Sequence, residues 1–516
     1  MPGSQNDSNG SLPPLTGATL ILFTAGVSLA TFMEVLDISI VNVAVYTISG
    51  NLGVSRTEGT MAISAYSMAS AVMQPLTGWI ARQIGEVRTF VSAVLLFVVF
   101  SSLCGFSTSM PMLIVFRLLQ GAVSGPMVPL SQTLLLNNYP AAKRPIAMAL
   151  WAMMVVVAPI FGPILGGWIT DNYSWSWIFF INIPVGAFAL LVTFTLLRGR
   201  ESKKVKVKLD VLGLFLLAVG VGCLQFMLDN GNDYDWFSSN MILVLAIIAF
   251  VCITFLIAWE LMHDKPVVNL HLFKRRNFAV GVTCLTIGMF AFFGGTVVLP
   301  NWLQEVMSYT ATWAGFAVAP VGIPAIIMSP LIGAFQNKFD LRVLNTIGFA
   351  VFAVCSFWMS GYDADASYFK LALPRLLMGF GIAFFFVPVN QIILSGLPPE
   401  EVASASGLAN FFRTIAMSVA TAVSSTLYSH RSIYHHAVLS EHTHQDARTT
   451  TQTLNLLQQL GIQGQSSYAA MNRILDMQAA TLAINDVFWG FSLMFLVAMV
   501  VVWLAKPPFA SGKPGG

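Results

Sequence analysis

Apolar runs of roughly twenty residues recur fourteen times along this chain, and that repetition constrains its fold more than any single motif. Each run is long enough to cross a hydrocarbon layer of about 30 Å as a helix. In lipid the backbone must satisfy its own hydrogen bonds, which leaves helices or closed barrels. The runs are continuous, without the alternation of barrel strands. They therefore predict helices near residues 18–45, 60–80, 89–107, 112–134, 146–170, 176–197, 210–229, 240–261, 278–300, 313–335, 343–361, 371–394, 405–428 and 486–505. Only 9% of the residues are charged, where a soluble domain carries about a quarter, so the solvent for this fold is lipid. The net charge of +3 gives no argument for a nucleic-acid partner, and none is expected.

An even number of spans puts both termini on one side. The loops on that side hold 18 Lys and Arg, among them Arg82, Arg88, Lys143, Arg144 and a run from Arg198 to Lys208; the opposite loops hold 5. Basic loops stay in the cytoplasm, so both termini are predicted there. Residues 1–16 are polar and lack Lys and Arg, and the first apolar run exceeds a signal-peptide core. It is expected to be retained as a helix. The five cysteines all fall inside spans without metal-ligand spacing, so neither a disulfide nor a metal site is expected.

The chain also repeats itself. Arg117-Leu118-Leu119-Gln120-Gly121 early in the fourth span returns as Arg375-Leu376-Leu377-Met378-Gly379 early in the twelfth. Val128-Pro129, Gln132, Leu135 and Pro140 return in register as Val387-Pro388, Gln391, Leu394 and Pro399. Pro75-Leu76-x-Gly78 ending the second span returns as Pro330-Leu331-x-Gly333 ending the tenth. Each element recurs eight spans later. The arrangement predicted is two six-helix repeats around a midplane cavity, with spans seven and eight inserted between them.

Five short motifs lie in order on these spans. Leu36-Asp37-Ile38-Ser39-Ile40-Val41-Asn42-Val43-Ala44 stands in the first. Gly78-Trp79-Ile80-Ala81-Arg82-Gln83-Ile84-Gly85-Glu86-Val87-Arg88 joins the second to the third, Arg117-x-x-Gln120-Gly121 opens the fourth, and Ala158-Pro159-x-x-Gly162-Pro163-x-x-Gly166-Gly167 lies in the fifth. Trp177-Ile178-Phe179-Phe180-Ile181-Asn182-Ile183-Pro184-Val185-Gly186 opens the sixth. With these motifs the chain resembles the fourteen-helix drug:proton antiporters of the EmrB/QacA family, within the major facilitator superfamily, and most closely the EmrB-type members. One position departs from the pattern: Arg82 stands where the superfamily's loop usually has an aspartate.

The resemblance implies an all-α major facilitator fold. Its parts would be a cytoplasmic tail (1–17), a first six-helix bundle (18–197), a basic linker with two inserted helices (198–276), a second bundle (277–505) and a cytoplasmic tail (506–516). It implies a proton-coupled multidrug efflux antiporter of the bacterial inner membrane. Such a protein exports amphiphilic compounds by alternating access, is driven by the proton gradient and needs no cofactor. EmrB-type members also work with a periplasmic adaptor and, through it, an outer-membrane channel. The outer segment 429–485 is the only large loop expected, with helical periodicity over 453–460 and 468–482, and is expected to dock the adaptor. It holds five of the seven histidines, whose spacing fits no zinc pattern.

Intramembrane charges are costly and mark function. Glu34 and Asp37, three residues apart on one helix, are expected to carry protons, with Asp37 as the main carrier and Arg117 as the switch. The candidate substrate cavity comprises Glu34, Asp37, Asn42, Gln120 and Gln391, walled by some of the Met and Phe side chains, and would favour cationic or neutral amphiphiles. In the fifth span Gly162, Gly166 and Gly167 admit a close neighbour, while Pro159 and Pro163 allow a bend, as a gate requires. Gly78, Arg82, Gly85 and Arg88 form the cytoplasmic loop motif. Arg375 is expected to be structural, Arg413 to snorkel from the cytoplasmic end of its span, and Asp229, Glu260 and Glu305 to lie at interfaces. The pattern of the fifth span argues against an importer. An intramembrane enzyme would need a nucleophile–base pair or metal ligands within the spans, and all seven histidines fall in loops or at span edges. A sensor would need a soluble signalling domain.

Overall fold

The computed structural model describes residues 14–140, 143–202, 204–205, 210–263, 266, 268–441, 443, 448–462 and 464–509. Lys203, Lys206, Lys208, Lys265, His442, His444 and Lys513 lie outside the described residues. Among those described, every regular element is a helix. The first three spans are α1 (Gly17–Leu52), α2 (Arg56–Ile84) and α3 (Glu86–Gly105). The fourth breaks at Gly125-Pro126 into α4 (Met110–Ser124) and α5 (Met127–Asn138), because proline cannot supply the next N–H of the ladder. The fifth is α6 (Arg144–Asn172), and the sixth is α7 (Trp177–Phe180) with α8 (Asn182–Leu196). The inserted pair is α9 (Val211–Asn230) and α10 (Asn240–Met262). Then come α11 (Arg276–Glu305), α12 (Ala311–Val318) continued through a short 3-10 turn by α13 (Gly322–Phe335), α14 (Leu341–Met359), α15 (Tyr368–Leu394), α16 (Pro399–Glu441), α17 (Arg448–Gln459) and α18 (Gln465–Val501).

By length and apolarity alone, eleven helices could cross a bilayer, or twelve with the bent α6 counted as one. The two remaining spans are α2 and α16. They are long, but they bury Ser70, Gln74 and Thr77 on one side and Ser406, Asn410 and Arg413 on the other. These polar faces meet each other inside the molecule, so mean hydropathy undercounts both helices.

The described parts of 429–485 are mostly helical, and α17 and α18 carry the periodicity expected over 453–460 and 468–482. From Leu408 to Glu441 no Gly or Pro interrupts the backbone, and α16 runs through it unbroken. Polar residues end a hydropathy window without ending a helix. The extensions of α16 and α18 are tied by Arg431 and His435 to Asp486, at 2.5 and 2.7 Å, and by His436 to Asp476 at 2.8 Å.

The sequence repeat has a packing counterpart. A Cβ on Gly121 would fall well inside van der Waals distance of the Tyr66 carbonyl, and a Cβ on Gly379 would do the same at the Val321 carbonyl. Each glycine thus lets the fourth or twelfth span lie against the second or tenth. The two halves meet at the end that carries the basic loops. There Gly78 of α2 seats on Ser404 of α16, and Gly333 of α13 seats on Ala149 of α6. Gly333 is the repeat-mate of Gly78, 255 residues later, so each half sets this glycine of its second span against the other half. Gln132 donates to Asn390 at 3.2 Å across the same seam. Towards the opposite end the halves diverge around cavities.

Candidate functional site

A cavity of about 160 Å³ lies between the halves. Its walls are mostly apolar and soft, with Met289, Met417, Phe292, Phe293, Phe352 and Phe385 among them. Two charged residues line it, Glu34 from α1 and Arg413 from α16. Both are buried, at 2% and 6% exposure. Among the described residues, Glu34 Oε2, Arg413 Nε and Arg413 Nη1 have no hydrogen-bond partner. The Glu34 carboxyl also lies by the backbone N–H of Val128, in the first turn of α5, where helix N–H groups lack an internal partner. Arg413 does not snorkel: α16 begins at Pro399, so this side chain sits about 20 Å along the helix, in mid-span.

Asp37 points elsewhere. Three residues of helix rotate a side chain by about 300°, so Asp37 stands roughly 60° away from Glu34. That turn takes it out of the cavity and into the core of the first half, where Arg117 Nη1 bonds to Asp37 Oδ2. Gln120 Nε2 and Asn182 Nδ2 both donate to Asp37 Oδ1 at 3.1 Å. Arg117 also donates to Gln120 Oε1 at 2.9 Å and lies over the Tyr66 ring at 4.1 Å from its centroid. Asn182 continues to Ser101 Oγ at 2.9 Å. The carboxylate expected to be the main proton carrier is therefore held by three donors, Arg117, Gln120 and Asn182.

Of the five expected cavity residues only Glu34 lines the central cavity. Asp37 and Gln120 belong to the buried network. Asn42 is exposed, about two turns beyond Glu34 along α1, and does not line the cavity. Gln391 lines a separate crevice of about 130 Å³ near the basic loops, with Asn390, Arg144 and Phe509. Asn182 and Tyr66 were not singled out from sequence. An amide alone among the apolar residues Trp177 to Gly186 was the available signal for the first; a lone tyrosine in α2 gave none. Arg375 is fully buried and donates to the Gly295 carbonyl at 2.7 Å.

The fifth-span glycines act as two, not three. A Cβ on Gly162 or Gly166 would run into Ser39 or Ile40 of α1, whereas Gly167 has nothing within 4 Å. Ser39 Oγ donates to the Pro159 carbonyl at 3.0 Å, which Pro163 cannot reach with an N–H of its own. Around this point α6 bends by 44°.

In the loop motif, Arg82 Nε donates to the Gly78 carbonyl at 3.2 Å. Glu201, from the following linker, accepts the N–H groups of Val87 and Arg88, each at 3.0 Å, at the start of α3. Arg88 Nε stands 3.8 Å from the same carboxylate. Gly85 has φ +106°, a conformation that favours glycine, and it sits against the Glu201 carboxyl.

A larger, polar cavity of about 680 Å³ opens at the end opposite the basic loops. Asp229, Asp233, Glu305 and Asp476 line it with Arg473. Glu305 accepts the Tyr428 hydroxyl at 3.2 Å. Glu260 is fully buried and accepts the Val268 N–H at 3.3 Å.

The family model described as "Major Facilitator Superfamily" matches residues 27–421. The chain is 48% identical over 508 residues to the multidrug export protein EmrB of Escherichia coli K12, covering 98% of each. It is 45% identical over 503 residues to the fatty acid resistance protein FarB of Neisseria gonorrhoeae, covering 98% of this chain and 99% of that one. Among solved structures its fold is similar to the human organic anion transporter MFSD10 (TM-score 0.58, 13% identity, covering 94% of this chain and 98% of that one). It is equally similar to the proton:xylose symporter XylE (TM-score 0.58, 15% identity, covering 94% and 95%). The chain belongs to the major facilitator superfamily of transporters, in its EmrB-type branch.

Proposed function

We propose that this chain is a proton-coupled exporter of amphiphilic drugs in the bacterial inner membrane, with its basic loops and both termini in the cytoplasm. The names of its relatives support drug export. The observation that carries the coupling is the pair Glu34 and Arg413. They come from opposite halves into one apolar cavity, each with polar atoms unpartnered. Glu34 takes either a proton or the basic group of a ligand, so the two compete, as exchange requires. Arg413 balances the charge when Glu34 is bare, and the cavity therefore does not select by net charge alone.

Asp37 and Arg117 serve as the switch rather than the entry point. Tyr66 packs on Arg117, and its neighbour Ser67 lines the cavity, so a change at Glu34 has a short path to the network. The paired extensions of α16 and α18, with α17 between them, face the periplasm in this reading and dock an adaptor that leads to an outer-membrane channel.

In proteoliposomes with an imposed pH gradient, Glu34→Gln is expected to keep binding of neutral ligands, to weaken binding of cationic ones and to lose proton-driven exchange. Exchange at the native rate in that variant would overturn the assignment.

A further inference from the structure

The export mechanism so far gives no work to the inserted pair, and its packing is not that of a peripheral ornament. At the basic end α2 and α16 touch directly, through Gly78 on Ser404 and Gly407 on the Gln74 carbonyl. Thr414 Oγ1 closes the seam by donating to Gln74 Oε1 at 3.1 Å. Beyond that level the two helices border the central cavity, with Ser67 and Ser70 on one and Met417 on the other. Further out they border the 680 Å³ vestibule, with Thr60 on α2 and Thr421 and Ser425 on α16.

At these levels α9 holds both helices. Gly222 faces Met68 of α2, where a Cβ would stand 3.2 Å from the thioether sulfur. Gln225 is fully buried, and its Nε2 donates to Ser418 Oγ of α16 at 2.7 Å. Trp236, in the turn after α9, donates to Thr426 Oγ1 at 3.0 Å. Met68 adjoins Ser67, and Ser418 adjoins Met417, so α9 stands directly behind the cavity wall. Its own Leu228 and Asp229 then form part of the vestibule. α10 lies outside it, close-packed through Gly220 and presenting Phe250 and Phe255 outward.

We infer that α9 is a lateral seal: it fills the gap between α2 and α16 in the half of the bilayer away from the basic loops. Substrate on its way out is thereby kept from slipping sideways into that leaflet and leaves through the polar vestibule. The acids there, Asp229 and Glu305, face water in this scheme and never lipid, which is where carboxylates are tolerated. The inference rests on the export reading for its direction, but the seal itself is a statement about which solvent reaches the vestibule.

The test uses the full chain in nanodiscs, without its five native cysteines, carrying one nitroxide either at Thr421 in the vestibule or at Phe255 on α10. Saturation by oxygen reports lipid, and saturation by a nickel chelate reports water. The label at Thr421 is expected to respond to the chelate and not to oxygen, and the label at Phe255 the reverse. Gly222→Phe together with Gln225→Leu should raise the oxygen response at Thr421 towards that at Phe255, and Gln225→Leu alone should raise it part of the way. A native Thr421 label as open to oxygen as Phe255, or an unchanged response in the folded variants, overturns the inference. Neither reading needs a substrate or a gradient. Failure of the export reading would appear instead as absent transport with the accessibility pattern intact.

Discussion

Arg117 and Arg375 stand 258 residues apart at matching places in the two halves, and both are wholly buried. Arg117 meets the carboxylate of Asp37. Arg375 meets the backbone carbonyl of Gly295, which itself stands 258 residues after Asp37. The duplication kept the cation and its helix and changed the partner. By the same offset Glu34 corresponds to Phe292, and both line the central cavity. A carboxylate can gain and lose a proton under physiological conditions; a carbonyl or a phenyl ring cannot. The first half therefore concentrates the groups able to titrate, and the second supplies matching packing together with Arg413. In the proposed exchange only one half needs to do proton chemistry, provided the other moves with it.

The largest effect should come from separating the two arginines' partners. Asp37→Ala leaves Arg117 buried without its anion, a change worth about 3–5 kcal/mol in buried pairs. Arg375→Met removes the cation itself and takes one donor from the Gly295 carbonyl and one from the Thr296 hydroxyl, which should cost about 1–3 kcal/mol. Thermal unfolding of the purified variants in detergent compares them directly. Equal losses would mean that Asp37 and Gly295 do the same job and would break the contrast between the halves.

Much of this contrast was legible in the sequence. The spans, the repeat and Arg117 with its glycine followed from patterns that translate directly into helix geometry. What could not be read was the direction of each side chain around its helix. Glu34 and Asp37 are near neighbours in sequence, yet one turns to the cavity and the other to the bundle core. Arg413 looked like the end of a span because the hydropathy of α16 is diluted by its own cavity-facing polar residues. The two helices that meet at the central seam, α2 and α16, are for that reason the ones apolarity alone does not count. Within 429–485 the helical periodicity over 453–460 and 468–482 was legible, and α17 and α18 carry it; the run of α16 on to Glu441 was not, because polar residues end a hydropathy window without ending a helix.

A second, intermediate effect tests whether the halves are equivalent as scaffolds. Gly121→Ala and Gly379→Ala each force a methyl group into a neighbouring backbone carbonyl, which cannot move as a flexible side chain could. Each should cost about 1–3 kcal/mol as an overpacking strain. Because the two sites have the same geometry, the two losses should match, again by thermal unfolding. A loss confined to Gly121 would show that the second half relaxes where the first does not.

The smallest effect sharpens the comparison at the helix starts. Ser55 caps α2, and Thr310, 255 residues later, caps α12. Glu58 N–H donates to Ser55 Oγ at 3.2 Å, and Trp313 N–H to Thr310 Oγ1 at 3.3 Å. Removing either hydroxyl should cost about 1 kcal/mol. Only the first cap is reciprocal: the Ser55 N–H and hydroxyl donate to Glu58 Oε2 at 2.9 and 3.0 Å, whereas the matching position in α12 is Trp313. Glu58 precedes the apolar run of its helix, and those two bonds, the backbone one foremost, hold its carboxyl below the ordinary 4.5. A depressed folded value means that the stabilisation is complete above the unfolded value and is lost as pH falls through the folded one. The stability difference between the native protein and Glu58→Gln should therefore be present at neutral pH and shrink on acidification through that range. The difference between native protein and Thr310→Ala should show no such trend over the same range. A Glu58→Gln difference that stays constant with pH would show that Glu58 acts at this helix start only as a neutral acceptor.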